Sequence, residues 1–192
     1  MLILEKFIGK GAVRLCFAHP RDAGACVKVA GQRRNVRLLE HELETYAKIE
    51  PVLGKYLPRY RPALVMTNLG PGLVCEFLHD ADKRPSQTLF NHLTSTPPPP
   101  APGLVAQLDD FARLLIRNNI FFYDFNLTNF MVQKTKSGSR LYFTDLKTYN
   151  RYRPWVLLHA EKLIRPLARA IMRRRLKRLY RQLGIGGRFP KI

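Results

Sequence analysis

The first thirty residues set short apolar runs between glycines and turn residues, a pattern that no single helix can thread. Leu2 to Phe7, Val13 to Ala18 and Cys26 to Val29 are separated by Gly9-Lys10-Gly11 and by His19-Pro20-Arg21-Asp22-Ala23-Gly24. That spacing predicts a three-stranded antiparallel meander. From Arg33 to Ile49, Val36, Leu39, Leu43 and Ala47 recur at helical spacing among charges, which predicts an amphipathic helix closed by Pro51. Ala63 to Met66 and Gly72 to Phe77, split by Asn68-Leu69-Gly70-Pro71, predict a hairpin. Three strands, a helix and two more strands make a small lobe over residues 1–79.

A second lobe is expected over residues 80–150. Thr94 to Pro102, with four successive prolines from Pro97, cannot continue a helix and reads as an extended surface connector, with a partner-recognition role as the alternative. Leu104 to Arg117 carries Leu104, Leu108, Phe111 and Leu115 on one helical face. A turn at Asn118-Asn119, a segment from Ile120 to Gln133, a turn over Lys136 to Ser139 and an apolar strand from Leu141 to Thr144 complete this part. The fold class expected is therefore α+β.

Within that frame a few polar residues stand where chemistry needs them. A Gly-x-Gly turn between strands lets backbone N–H groups approach phosphates, because no Cβ intervenes. Lys28 stands on a later strand between Val27 and Val29, so it faces away from them and places a compact charge under that turn. The following helix offers Glu40, Glu42 and Glu44 as anchors; Glu42 is the first choice and Glu44 the second. Asp124 and Asn129 lie five residues apart, bracketed by apolar residues in the run Phe121 to Val132, and Asp145 follows the last apolar strand. Phosphoryl transfer needs a carboxylate to orient or deprotonate the attacking hydroxyl and oxygen ligands to hold Mg²⁺, and a short loop can deliver both. For an isolated Asp and Asn at this spacing, the alternative is a turn cap and satisfied backbone groups.

Gly9-Lys10-Gly11, Lys28, Glu42, Asp124 with Asn129, and Asp145 appear in the order of the protein-kinase-like superfamily. More closely, the run from Gly9 to Val29, with Arg14, Cys16-Phe17-Ala18-His19-Pro20, Asp22-Ala23 and Cys26-Val27-Lys28-Val29, followed by Glu42-Leu43 and Tyr46-Ala47, resembles the YrbL family, whose members are named for the bacterial PhoP regulatory network. The likeness covers roughly residues 1–150. It implies a bilobal kinase-like fold, with a small antiparallel-sheet N-lobe plus helix and a shortened, mainly helical C-lobe. It further implies a glycine-rich loop at Gly9 and Gly11, an ATP-contacting Lys28 with Glu42 as helix partner, a hinge near Glu76-Phe77-Leu78, Asp124 as base, and Asn129 and Asp145 as Mg²⁺ ligands. ATP and Mg²⁺ are thus the implied cofactors, with Glu76 and Leu78 on the nucleotide.

Phe122 and Tyr123 stand where protein kinases have His-Arg, Asn126 replaces a lysine, and Asp145-Leu146-Lys147 lacks the Phe-Gly that follows the metal aspartate there. The short tail resembles small-molecule and lipopolysaccharide-core sugar kinases better than protein kinases. An acidic sugar or cell-envelope glycolipid is accordingly the expected acceptor. The alternative is a pseudokinase-type, nucleotide-binding regulator of the PhoP and envelope-stress network.

Charge supports an acidic partner. Thirty-three Lys and Arg against fourteen Asp and Glu leave +19 among 192 residues, and twelve of those net charges fall between Arg151 and Ile192. There Val156, Leu163, Leu167, Ile171, Leu179 and Leu183 recur near helical spacing among arginines, which predicts a pair of basic amphipathic helices over 151–192, kinked at Pro166. Such helices suit an anionic membrane surface, with Trp155, Tyr149 and Tyr152 at the headgroups, as well as a solvated lobe face. Nucleic acid is a weaker claimant, because the tail's aromatics are few. Cys16, Cys26 and Cys75 show no paired spacing, which argues against a disulfide framework and for a reducing compartment. Five histidines show no zinc spacing. No run approaches the ~18 apolar residues of a membrane span and no signal peptide is evident, so a cytoplasmic location, at most on the membrane's inner face, is expected.

Overall fold

A computed structural model describes residues 1–11, 14–32, 36–95, 100–122, 124–146 and 161–190, with side chains from Pro166 onward in the last of these segments. The chain forms two compact units, Met1–Ser86 and Gln87–Ile192. The fold class is the expected α+β, with an antiparallel sheet in the N-terminal unit.

In the first unit, β1 (Phe7–Lys10), β2 (Arg14–Ala18), β3 (Ala25–Ala30), β4 (Val65–Thr67) and β5 (Gly70–Glu76) form one antiparallel sheet in the order β1-β2-β3-β5-β4. Alternation sends Phe17, Ala25, Val27, Val29 and Val74 to one face, where Leu2, Leu4, Leu15 and Val65 join them. The first strand differs from the sequence expectation. Leu2 to Phe7 does not pair with β2 as a unit; Leu2 lies beside Thr67 of β4, held by its N–H to the Met66 carbonyl at 2.8 Å, and the Leu4 N–H donates to Asn68 Oδ1 at 2.9 Å. Burial of alternate leucines on the apolar face wins over continuation of the meander, and a register irregularity between Phe7 and Gly9 marks the change.

Helix α1 (Val36–Leu53) packs against β3 and β5. It runs two residues beyond Pro51, whose missing N–H costs only one bond of the last turn before a turn of 3₁₀ helix at Gly54–Tyr56. Its buried face is Leu39, Glu42, Thr45, Ile49 and Leu53, whereas Ala47 is exposed and Val36 and Leu43 are half-buried. The apolar periodicity misses this face because a carboxylate and a hydroxyl sit in its middle. The β4–β5 hairpin turns at Asn68-Leu69 with Gly70 at φ 101°, and the Thr67 hydroxyl donates to the Gly70 carbonyl at 2.6 Å.

In the second unit, β6 (Gln87–Thr88), β7 (Phe130–Thr135) and β8 (Gly138–Phe143) form a three-stranded antiparallel sheet, accompanied by α2 (Leu89–Ser95), α3 (Pro102–Arg117) and α4 (Glu161–Gln182). The proline stretch is shorter than expected. Thr94 and Ser95 finish α2, their hydroxyls donating to the Asn91 carbonyl, and Pro102 opens α3 where its missing N–H costs nothing; Thr96 to Pro99 lie outside the described residues. Helix α3 buries Leu104, Leu108, Phe111 and Leu115, together with Val105, Ala112 and Ile116, against β8. Phe111, Phe122, Phe125, Phe130 and Phe143 pack ring on ring, with Phe122 to Phe143 at 4.8 Å and Phe111 to Phe130 at 5.6 Å.

Among the described residues the basic tail carries α4, with Pro166 inside it, and a turn of 3₁₀ helix at Gly186–Arg188, while residues 151–160, where the expected pair begins, lie outside them. The tail's apolar stripe also splits. Leu179 and Leu183 are buried with Met172, Leu176 and Tyr180, while Leu167 and Ile171 are 61% and 45% exposed. Val156, Trp155, Tyr149 and Tyr152 fall outside the described residues, and Leu163 among side chains not described.

Candidate active site

In the first unit, β3 carries Lys28 on the face opposite Val27 and Val29, toward α1. Lys28 Nζ donates to Glu42 Oε1 at 2.8 Å and to the Tyr60 hydroxyl oxygen at 2.9 Å, and that hydroxyl donates to the same Glu42 oxygen at 2.7 Å. Arg14, from β2, forms an ion pair with the other carboxylate oxygen. Glu42 is 0% exposed, and a carboxylate taken that far from water costs several kcal/mol unless charges and hydrogen bonds such as these offset it. The Tyr60 ring also lies against Lys28, with Nζ 5.0 Å from its centroid, and stacks near Tyr46 at 4.6 Å. The outcome is a fixed positive charge on the sheet, its side chain 15% exposed, anchored to a helix. Glu40 and Glu44, on other sides of α1, are exposed.

Gly9 pairs with Cys16 inside β1, and the N–H of Gly11 donates to the Arg14 carbonyl at 2.8 Å across the turn. Neither glycine has positive φ. A Cβ at Gly9 would meet nothing within 4 Å, and one at Gly11 only the Arg14 carbonyl at 3.8 Å. The chain's own backbone and packing therefore do not require glycine at either position. Glu76 ends β5; its carboxylate accepts the Arg59 N–H at 3.1 Å and its own N–H donates to the Arg59 carbonyl at 2.7 Å. Leu78 is buried, and its carbonyl accepts the Ser86 N–H at 2.9 Å.

In the second unit, Asp124, Asn126 and Asn129 share one loop ending in a turn of 3₁₀ helix, Leu127–Asn129. Asp124 is exposed; Asn126 Nδ2 donates to its Oδ1 at 2.9 Å, and Asn129 Nδ2 donates to its backbone carbonyl at 3.2 Å. Asn126 also caps the 3₁₀ turn by accepting from the Thr128 N–H at 3.0 Å. The Asn129 carbonyl accepts both the N–H (2.9 Å) and the hydroxyl (3.2 Å) of Thr144, which fixes the next residue, Asp145, beside this loop. Asp145 is 5% exposed. From the other side, Arg175 of α4 donates to the Phe122 carbonyl at 2.9 Å, and Arg169 donates to Asn119 Oδ1 at 2.9 Å. Arg175 thus supports the approach to this loop and Arg169 the turn after α3, and neither is simply part of a solvated face.

The donors Asp145 Oδ and Asn129 Oδ1 are hard oxygens, and Asn129 spends its amide nitrogen on the loop, which leaves the oxygen as its ligand atom. That set suits Mg²⁺ better than a soft metal. No group of three or more His, Cys, Asp or Glu gathers as a metal site among the described residues.

Sequence reading missed Tyr60, the Arg14 ion pair, Asn126, Thr144 and Arg175. Tyr60 lies 32 positions from Lys28 and meets it only because an isolated bridge pairs Tyr60 with Cys75 of β5, so no local spacing announces it. Asn126 carried a signal, since Asn before Leu-Thr is a capping residue.

Residues 1–184 match the family described as PhoP regulatory network protein YrbL. The chain belongs to that family. Over 86 residues this YrbL-family chain is 36% identical to the uncharacterized protein YrbL of Escherichia coli strain K12, and equally to that of Shigella flexneri; each match covers 43% of this chain and 40% of the relative. The matched part thus spans well under half the length of those relatives. Among solved structures, a double mutant of the PknI kinase domain of Mycobacterium tuberculosis aligns with 76% of this chain and 59% of its own, at a TM-score of 0.48 and 12% identity. No helix among the described residues is long and apolar enough to cross a membrane.

Proposed function

We propose that this YrbL-family chain is a kinase-like phosphotransferase that moves the γ-phosphate of ATP, with Mg²⁺, to a hydroxyl of an acidic sugar or cell-envelope glycolipid. The observation that carries the reading is the buried Lys28–Glu42 pair: a strand lysine is held by a fully desolvated helix carboxylate, an arrangement that fixes a charge for phosphate oxygens at a cost the fold would not otherwise bear. Glycines at positions 9 and 11 that packing does not demand suit the close approach of a phosphate.

In this reading Lys28, positioned by Glu42, holds phosphate oxygens, while Gly9 and Gly11 offer backbone N–H groups. The carbonyl of Glu76 and the backbone of Leu78 serve the base. Asp124, exposed and oriented by Asn126, accepts the acceptor hydroxyl's proton, and Asn129 and Asp145 hold Mg²⁺. The metal neutralises charge on the transferred group when bound. The location that goes with this reading is the cytoplasm, at the inner membrane face, where exposed Arg174, Lys177, Arg178 and Arg181 meet anionic headgroups at roughly 1 kcal/mol per charge.

A second reading is a nucleotide-binding regulator of the PhoP network that acts through α4 without turnover. Leu167 and Ile171, exposed beside those bases, favour it as a docking face. Thermal unfolding with Mg-ATP tests the nucleotide site. At about 100 times its dissociation constant a ligand stabilises by about 2.7 kcal/mol, and Asp145→Asn should remove most of that. No shift at millimolar nucleotide rejects both readings. With binding established, phosphate transfer to envelope glycolipid that Asp124→Asn abolishes selects the enzyme, and its absence selects the regulator.

A further inference from the structure

Strand register brings all three cysteines to one face of the first sheet. Cys16 of β2 is the cross-strand partner of Lys28, and Cys26, two residues before Lys28 on β3, is the partner of Cys75 on β5. Residues two apart on a strand share a face, so these thiols lie opposite the apolar core formed by Val27, Val29 and Val74. The sulfurs of Cys26 and Cys75 are 3.4 Å apart; both residues are buried, Cys16 is half-buried, and all three are free thiols.

The ladder permits a bond between the closest pair. The Phe77 N–H donates to the Gly24 carbonyl at 2.8 Å, and hydrogen-bonded pairs alternate along an antiparallel ladder, so Cys26 and Cys75, two residues in, occupy such a pair. Its Cα atoms lie about 5.5 Å apart, inside the roughly 4.4–6.8 Å that a disulfide spans. The sulfurs close from 3.4 Å to about 2.0 Å as the Cβ atoms, about 5.5 Å apart in such a pair, draw in to the roughly 3.5–4.5 Å of a disulfide.

Proton sharing sets the three apart chemically. Interaction with Cys16 and with Cys75, together with burial, raises the pKa of the Cys26 thiol. Interaction with Cys26 lowers Cys16 below the ordinary thiol range and brings Cys75 down to about 6, with Lys28 and Arg14 adding to both effects. A protonated thiol thus stands between two sulfurs disposed to be thiolates, one of them reachable from solvent.

We propose that Cys16, Cys26 and Cys75 form a single peroxide-oxidisable site whose product is the Cys26–Cys75 disulfide, with Cys16 as the point of entry. The Cys16 thiolate attacks one oxygen of hydrogen peroxide; the O–O bond breaks, Cys16 becomes a sulfenic acid, and the departing hydroxide takes a proton to become water. The Cys26 sulfur then attacks the sulfenic sulfur, and its proton leaves with the hydroxyl as a second water. The Cys75 thiolate attacks Cys26, breaks the Cys16–Cys26 bond and returns Cys16 as a thiolate. In sum two thiols lose two hydrogens to one peroxide, giving one disulfide and two waters. This site stands whether or not Lys28 binds nucleotide.

The test treats the full reduced chain, freed of reductant, with hydrogen peroxide, alkylates the remaining thiols and maps peptides by mass spectrometry without reduction. The expected product is one intramolecular bond between the Cys26 and Cys75 peptides with Cys16 alkylated, reversed by dithiothreitol. Cys16→Ser, a small change at a half-buried position, should slow the bond's formation about tenfold or more without changing its identity. Cys75→Ser should stop at a Cys16–Cys26 bond. Three alkylated thiols after peroxide, oxidation that ends at Cys16 as sulfinic acid, a chain-to-chain disulfide, or an unaltered rate in Cys16→Ser would each overturn the proposal.

Discussion

The Tyr60 hydroxyl donates to Glu42 at 2.7 Å while accepting from Lys28 at 2.9 Å, so one oxygen closes a three-membered ring of hydrogen bonds around a carboxylate with no exposure to water. Lys28 and Glu42 come from a strand and a helix, and Tyr60 from the segment that bridges to β5, so the ring ties three elements of the sheet unit together.

Tyr60→Phe keeps the ring against Tyr46 and Lys28 but removes the hydroxyl. The loss of a bond to a buried charged group should cost about 2 kcal/mol. Urea unfolding monitored by circular dichroism checks it: an unchanged midpoint at constant slope would show that the hydroxyl contributes nothing to holding Glu42.

Glu42→Gln and Glu44→Gln differ by two positions on one helix and should differ sharply in effect. Removing the buried charge takes the counter-charge from Lys28 and Arg14, a loss of about 3 kcal/mol, whereas the exposed Glu44 should change stability by less than about 0.5 kcal/mol. Equal midpoints for the two variants would contradict the geometry.

Periodicity in the sequence led to the first-unit strands, to α1 and to α3, because those signals are local, while the order of Lys28, Glu42, Asp124, Asn129 and Asp145 was read from the resemblance to the protein-kinase-like superfamily. It failed where long-range partners decide. Leu2 and Leu4 leave the meander for β4 because an apolar face is available there. The buried side of α1 was hidden because Glu42 and Thr45 occupy it, and a polar residue inside a core carries no hydrophobic signal until its partners are known. Arg169 and Arg175 looked like parts of a solvated stripe because nothing in the tail's own sequence shows that carbonyl and amide acceptors at Phe122 and Asn119 await them.

His19 gives the sheet unit a defined response to acid. Its Nδ1 accepts the Arg21 N–H at 3.2 Å, and burial, followed by the nearby Arg61, lowers its pKa below the ordinary 6.5. A group whose folded pKa is depressed binds fewer protons when folded than when unfolded, so stability rises with pH between the two values. The contribution is present above about pH 6.5 and is lost as pH falls through the unfolded and then the folded pKa. Urea midpoints from pH 7.5 down to pH 5 should therefore fall more steeply for the wild type than for His19→Gln; parallel profiles would remove His19 from the account.

Arg175 and Arg174 are neighbours with different work. Arg175 holds the Phe122 carbonyl, two residues before Asp124, while Arg174 is exposed. Arg175→Ala should cost about 1–2 kcal/mol in urea unfolding through the lost charged bond. Arg174→Ala should leave stability within about 0.5 kcal/mol and weaken binding to vesicles containing anionic lipid, measured by co-sedimentation. The reverse assignment would place the structural role on the wrong arginine.

Gly9 separates a packing role from a ligand role. A Cβ there meets nothing within 4 Å and φ is not positive, so Gly9→Ala carries no steric penalty in the folded chain and narrows the unfolded ensemble. Stability should hold or rise by a few tenths of a kcal/mol up to about 1 kcal/mol. If the glycine serves the close approach of phosphates, Mg-ATP affinity measured by calorimetry on the same variant should nonetheless fall about tenfold, which corresponds to about 1.4 kcal/mol. Stability lost with affinity unchanged would mean that the glycine belongs to the strand alone, and the nucleotide reading would then rest on Lys28 and Glu42 without the turn above them.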